Sequence, residues 1–246
     1  MSVTSRRSFV GGLACFGGLS LGGVRPAAAG IDLVAAYPEI LKFAVSRDGA
    51  PLGVVMERFG HDGAGATAEV YIDFKVTFAG FVLYRYEHRS RERWRDGRLY
   101  TLDTVTNDNG QGQAVAARGR SDGLHVDGTE GRFVAPTDIL PSSYWHPRFV
   151  EQNRMLDSQR GRILEFDIGE VGQETVTALD RPVDCTRYAM RGDIDLDFWY
   201  DARRVWQKMS FTIKGSFIEY TRVAPEPADH ARFGAPLRDG RRVPVA

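Results

Sequence analysis

The sequence predicts an all-β protein, a curved antiparallel sheet that meanders toward an open barrel, with a short helix or loop as its cap. Three observations predict it. Apolar and polar residues alternate with period two over several long runs, the pattern of a strand with one buried face. Asp-Gly and Asn-Gly pairs recur at 48–49, 62–63, 96–97, 109–110, 122–123 and 127–128, and such pairs tolerate the positive φ angles of tight hairpins. Strands parted by such turns every ~8–12 residues describe a sandwich or barrel.

The chain opens on a leader. Ser5-Arg6-Arg7-Ser8-Phe9-Val10 sets two arginines before an uncharged stretch, the layout of a twin-arginine signal. Residues 9–24 hold six glycines. That run is too short and too dilute for a membrane span, which needs about 20 apolar residues. Ala27-Ala28-Ala29 supplies the small residues a signal peptidase requires. The expectation is cleavage after Ala29, export by the twin-arginine machinery, and a periplasmic or secreted chain with no transmembrane span. Such substrates cross the membrane folded, and the signal alone implies no cofactor.

The charge of the mature chain excludes one class of partner. The protein has 32 basic and 32 acidic residues. The leader takes three basic ones, Arg6, Arg7 and Arg25, and no acid, which leaves a net charge of −3. Nucleic-acid binding needs a basic face, so nucleic acid is not the expected partner. Cys185 alone remains of the two cysteines, so no intrachain disulfide forms. Its strand-like surroundings, Val183-Asp184-Cys185-Thr186-Arg187-Tyr188, predict a packed thiol.

Strands are expected near 39–48, 52–60, 67–78, 81–95, 98–107, 112–120, 123–134, 162–170, 173–180, 184–192, 194–201 and 205–223. The run at 70–78 is the clearest, with Val70, Ile72, Phe74, Val76 and Phe78 on one face. Residues 136–160, with Pro136, Pro141 and Pro147, break the pattern. A loop with a short helix is expected there, over one mouth of the sheet. Residues 32–37 suit a second short helix. Residues 225–246 hold four prolines and four arginines without alternation, and read as a mobile, disordered tail. The single β-rich domain then spans 30–224.

The strand at 81–95 carries the most chemistry. Its odd positions include Arg85, Glu87, Arg89, Arg91, Arg93 and Arg95. Five arginines on one face cannot be buried without many partners, so that face is expected to meet water. It is either a solvated row paired with acids or a surface for anionic headgroups. Asp193, Asp195, Asp197 and Asp201 form an acidic face that suits such pairing. The even positions, Val82, Tyr84, Tyr86, His88, Ser90, Glu92 and Trp94, then point inward. An aromatic wall with a few polar groups is how small-molecule sites are built. The plainer reading makes the aromatics core and sets His88 and Glu92 at the rim. Tyr144-Trp145-His146-Pro147 either lines a ligand mouth or anchors its loop into the core through Trp145.

No metal or catalytic motif stands out. Asn107-Asp108-Asn109-Gly110 lacks the spacing and distal acid of a calcium loop, and a hairpin turn explains it. The five histidines show no two-histidine metal spacing. No cofactor is indicated.

Tyr84-Arg85-Tyr86-Glu87-His88, Glu92-Arg93-Trp94-Arg95-Asp96-Gly97-Arg98-Leu99, Asn107-Asp108-Asn109-Gly110 and Leu196-Asp197-Phe198-Trp199-Tyr200-Asp201 resemble a family of exported bacterial proteins known only as a domain of unknown function. The resemblance covers roughly residues 37–223 and implies no assigned activity. The strand plan is also similar, at the level of fold, to the half-barrels of periplasmic lipoprotein and lipid carriers. The resulting expectation is a periplasmic protein that binds a lipid-like or amphipathic small molecule in a sheet cavity. Its ligand-binding residues would be Tyr84, Tyr86, His88, Glu92, Trp94 and Trp145. The alternatives are a periplasmic hydrolase using His88 or His146 with Glu92, or a structural or assembly factor of the cell envelope.

Overall fold

The structure is a computed structural model that describes residues 33–244; the expected leader and the expected cleavage after Ala29 lie outside them. The chain forms β1 (Ile40–Arg47), β2 (Ala50–His61), β3 (Ala66–Phe78), β4 (Phe81–Arg95) and β5 (Arg98–Asp108). It continues through β6 (Gln111–Arg120), β7 (Gly123–Gly128), β8 (Gly131–Ala135), β9 (Leu140–Pro141) and β10 (Arg154–Leu156). The last strands are β11 (Ile163–Ala178), β12 (Arg181–Gly192), β13 (Leu196–Asp201), β14 (Trp206–Ile213) and β15 (Ser216–Val223). They make one 15-stranded sheet in the order β8-β7-β6-β5-β4-β3-β2-β1-β15-β14-β13-β12-β11-β10-β9. Among the described residues only β9 and β10 pair in parallel. The sheet does not close on itself.

Most of the plan follows from hairpins between sequence neighbours. One pairing does not. β1 pairs with β15, Lys42 opposite Val223 and Arg47 opposite Ile218, and this joins the two halves in mid-sheet. The turns use the expected geometry, with positive φ at Asp48, Asp96 and Asn109 and at the glycine after each. In the last of them, Asn107 Oδ1 accepts a bond from the Gly110 N–H at 2.8 Å. The stretch at 123–134 is two strands, turning at 129–130, whereas 163–178 is one strand with a bulge between Glu170 and Gly172.

Residues 136–162 do more than cap the sheet. They carry β9, a short 3-10 helix (Phe149–Glu151) and β10, and they enter the concavity. Trp145, Phe149, Met155 and Leu156 are completely buried there in one core with Phe43, Trp94, Phe198 and Trp206. The segment also meets the far edge of the sheet, where a Cβ on Gly128 would lie 2.6 Å from the Arg160 carbonyl oxygen. Gly161, at φ +74°, is equally tight against Gly128, so neither position has room for a side chain.

Two expectations fail here. Residues 33–37 make turns, not a helix. Residues 225–244 are not a loose tail but form a 3-10 helix (Pro227–Arg232) and pack on the outside of the sheet. The cause is a buried lysine. Lys42 points outward from β1 yet is only 7% exposed, and Asp229, 1% exposed, meets it at 2.7 Å. Phe233 then packs with Ile40, Met56 and Tyr71, and the Arg58 guanidinium lies 4.7 Å above its ring. A Phe233→Ala substitution is expected to cost about 2 kcal/mol, less than in a main core because the cluster is small. Limited proteolysis should then cut within 225–244 before the sheet. Unchanged protease resistance would mean that Phe233 does not hold the segment down.

The arginine row is corrected in part. Arg85, Arg91 and Arg93 face acids of the neighbouring strand and its turn, Asp73, Glu69 and Asp62. Arg89 is instead buried at 6% exposure, 3.6 Å above the Tyr71 ring, donating to the carbonyls of Ile72 and His88. The Tyr71 ring it stacks on also meets Phe233 and Arg232 of the C-terminal segment, and that packing could not be read from β4 itself. The aspartates at 193–201 do not reach this row. Asp197 pairs with Arg187 and Arg191 on β12, while Asp193 and Asp195 accept backbone bonds from Glu165 and Gly192.

Candidate functional site

Strand β4 builds the site. Its even residues His88, Ser90, Glu92 and Trp94 do face the concavity, and all four are buried. His88 and Glu92 thus lie in the core, not at a rim. Glu92 stands opposite Ala68 on β3, and Ala68 stands opposite Phe59 on β2. The small Ala66 and Ala68 leave room between Phe59 and Trp94. Trp145 takes that room, its ring 5.2 Å from Phe59 and 5.3 Å from Trp94.

A buried carboxyl ties this cluster together. The indole N–H groups of Trp94 and Trp145 both donate to Glu92 Oε2 at 3.0 Å. Ser143 donates to Glu92 as well. Tyr37 donates its hydroxyl to the Trp145 carbonyl, and Tyr200 donates to the Tyr144 carbonyl at 2.5 Å. The loop is therefore held by its backbone as well as its ring. Burial pushes the Glu92 carboxyl up to about 7, against the pull of the Trp145, Ser143 and Trp94 donors. Glu57 on β2, 1% exposed, is pushed well above the ordinary carboxyl range by burial and by the Glu92 charge.

Both histidines are kept neutral. Burial, helped by the Arg89 charge, lowers His88 to about 3, and its Nδ1 lies 2.7 Å from Thr106 Oγ1. Burial, helped by Arg148, lowers His146 to about 4. The His146 ring stacks on Trp94 at 4.9 Å, and its Nδ1 accepts the Arg148 N–H. His88 lies four residues from Glu92 along β4, about 13 Å at a strand rise near 3.3 Å, too far for a direct proton transfer.

Several inward polar atoms have no hydrogen-bond partner among the described residues: Glu57 Oε2, Glu92 Oε1, Ser90 Oγ, Gln113 Oε1 and His146 Nε2. Such atoms are uncommon in buried interiors and call for an explanation, in water, ligand or function. Tyr84 and Tyr86 stand apart from this cluster, half-buried nearer the hairpin end of β4. Tyr84 donates to Asp108 at 2.8 Å and Tyr86 to Gln159 at 3.1 Å. Phe74 lies 5.9 Å from Tyr86 and 6.1 Å from Tyr220. The six residues expected to bind a ligand therefore fall into a deep polar group and an aromatic mouth. The apolar cavity expected between them is occupied by the chain's own residues 142–162. Two open clefts of about 380 and 400 Å³ lie elsewhere, one beside Tyr37, Asp201 and Arg222, the other beside Arg154, Glu165 and Arg191. No three histidine, cysteine, aspartate or glutamate side chains of the described residues come together as a metal site.

Sequence reasoning missed Glu57, Ser143 and Tyr37. For Glu57 a signal existed, because Val55, Glu57 and Phe59 share one parity on β2. Ser143 and Tyr37 carry no such signal; only the folded loop brings them in. Cys185 is packed as expected, against Val176 and Trp199, with burial pushing its thiol up to about 11. No helix of the described residues is long and apolar enough to cross a membrane.

The family model described as "Domain of unknown function (DUF6134)" matches residues 43–223. No protein of curated function matches the sequence. A crystal structure described as a β-barrel-like protein of domain of unknown function DUF1849 from Brucella abortus is similar, with a TM-score of 0.53 at 10% identity. The similarity covers 75% of this chain and 95% of that one. At that identity it is a likeness of fold.

Proposed function

We propose that this chain, which belongs to the DUF6134 family, is an exported periplasmic protein that binds an amphipathic ligand on the concave face of its sheet. One observation carries the reading. An aromatic-lined interior holds five polar atoms that the described residues leave unbonded. A ligand with an apolar body and hydroxyl or amide groups would satisfy them. Trp145 and its loop stand where the apolar body would lie, so binding requires that segment to shift, with Tyr84 and Tyr86 flanking the way in.

The test is native mass spectrometry of the protein purified gently from the envelope fraction, beside a denatured sample. A mass excess lost on denaturation is expected, and its size would identify the class of ligand. Tyr84→Ala with Tyr86→Ala should weaken retention about tenfold, the loss of roughly 1.4 kcal/mol of anchoring contact. A bare polypeptide mass, unchanged after incubation with dodecanoic acid or phosphatidylglycerol micelles, would sink the reading.

A hydrolase reading has one observation of its own. Glu92 is held near neutrality, as an acid–base group should be, with His146 beyond the Trp94 ring. Esterase and amidase screening of the unaltered chain and of Glu92→Gln decides it; equal rates would remove Glu92 from any mechanism.

A further inference from the structure

Eight large apolar side chains of the described residues are strongly exposed: Phe78, Phe81, Val82, Leu83, Val134, Val171, Ile213 and Phe217. They are not scattered. Six of them belong to two hairpin tips, the β3–β4 turn at 79–80 and the β14–β15 turn at 214–215. In the sheet these hairpins stand on either side of the β1–β2 hairpin. The three turns therefore share one rim. Asp48 of the middle turn fixes Phe217, because its backbone N–H donates to the Phe217 carbonyl and its carboxylate accepts the Phe217 N–H, both at 2.8 Å.

The exposures are extreme. Phe78 is 72% and Phe81 74% exposed, with Leu83 at 60% and Val82 at 52%. A register shift between Val76 and Thr77 turns Val82 out of the inward row to which its parity assigns it. Scattered exposed apolar residues are ordinary, but a contiguous group marks a contact surface. Its shape and its fringe indicate the partner. The side chains project outward from two hairpin ends. Exposed cations stand beside them: Lys75 on β3, Lys214 in the β14–β15 turn and Arg47 before the β1–β2 turn. Lys75 and Lys214 make no ion pair among the described residues, whereas Arg47 donates from Nε to Ser216 and lies 3.8 Å from the Asp48 carboxylate. Asp48 is engaged with the backbone. Apolar tips flanked by two unpaired lysines complement a bilayer interface, with acyl chains below and anionic headgroups around.

We infer that this rim docks on an anionic lipid surface, with Phe78, Phe81, Val82 and Leu83 entering the acyl boundary and Lys75 and Lys214 meeting phosphates. The aromatic mouth at Tyr84 and Tyr86 opens beside the same turns, so a docked chain would hold its concave face toward the lipid. The inference stands without the ligand reading, since docking needs only the rim.

Vesicle sedimentation tests it, with vesicles of phosphatidylglycerol and phosphatidylethanolamine against vesicles of phosphatidylcholine alone. All comparisons use full chains that share residues 1–32, so any contribution of those residues is common to both arms. Phe78→Asp with Phe81→Asp should lower binding to the anionic vesicles at least tenfold. Lys75→Glu with Lys214→Glu should lower it severalfold and erase the preference for anionic lipid. A Phe81→Trp chain should gain fluorescence quenching by brominated acyl chains over the unaltered chain. These positions are exposed, so the variants should keep the far-ultraviolet circular dichroism of the unaltered chain. Equal binding by the aspartate variant would overturn the inference. So would a gain of no quenching, or a concentration-dependent dimer that the aspartates abolish while vesicles bind neither chain. Loss of vesicle binding with ligand retention intact would separate this rim from the binding face.

Discussion

Replacing Trp145 by alanine is expected to lower the free energy of unfolding by about 4 kcal/mol. The indole is fully buried and touches Tyr37, Phe59, Trp94 and His146. Truncating a buried tryptophan to alanine typically costs about 3–5 kcal/mol, through lost transfer energy and the cavity left behind. A second cost is added here. The same side chain donates to Glu92, so its removal takes a donor from a buried carboxyl that already has an unbonded oxygen. Trp145→Phe separates the two, because it restores much of the ring volume without the N–H; about half the loss should remain. Urea unfolding followed by far-ultraviolet circular dichroism reads both. A loss under 1 kcal/mol for the alanine chain would show that residues 142–162 are not held in the sheet, and would make the concavity far easier to open than its packing suggests.

The second large effect is electrostatic. From about pH 4.5 to about pH 8, the stability of Glu92→Gln should rise relative to the unaltered chain by roughly 3 kcal/mol. The ordinary carboxyl value is 4.5, and burial carries Glu92 to about 7. Between those values the folded chain holds a proton that the unfolded chain has lost, so stability falls as pH rises through that window. The gap, at about 1.36 kcal/mol per pH unit, sets the size. Glutamine keeps an oxygen for the two indoles and cannot titrate. The histidines run in the opposite sense. His88 and His146 are lowered to about 3 and about 4 from 6.5. The unfolded chain therefore binds more protons below pH 6.5, and stability rises with pH up to that point. The slopes offset each other in the unaltered chain, which is why the two chains must be compared at each pH. A difference that does not vary with pH would mean that Glu92 has the same affinity for its proton folded and unfolded.

The fold was largely legible because its determinants are local. Alternation at Val70, Ile72 and Phe74, followed by Ala79-Gly80 and then Tyr84, Tyr86 and His88, specifies both strands and the turn between them. Parity along β4 placed His88, Glu92 and Trp94 on the buried face. The site was legible only as far as parity reaches. Trp145 was recognised as a loop aromatic, yet its bond to Glu92 joins residues 53 apart in sequence, through a segment whose prolines hide the two-residue β9. The wet arginine row failed at Arg89 for a related reason. A strand's own sequence cannot reveal that another segment will pack beside it, and residues 225–244, with Phe233 and Asp229 among prolines and arginines, resemble a solvated tail until Lys42 is seen beneath them.

The joining of β1 to β15 in mid-sheet bears on how the chain is made. Strands β1 to β8 form from neighbouring hairpins and can assemble as synthesis proceeds. β1 nevertheless keeps one row of peptide groups bare until residues 216–223 leave the ribosome. A bare strand edge is a template for pairing with another chain, and contacts so distant in sequence form slowly. A nascent chain thus carries a sticky flank through most of its synthesis, and a chain stopped before β15 would be expected to associate edge to edge rather than settle as a smaller domain. The seam that unites the halves therefore also makes folding contingent on the final strand.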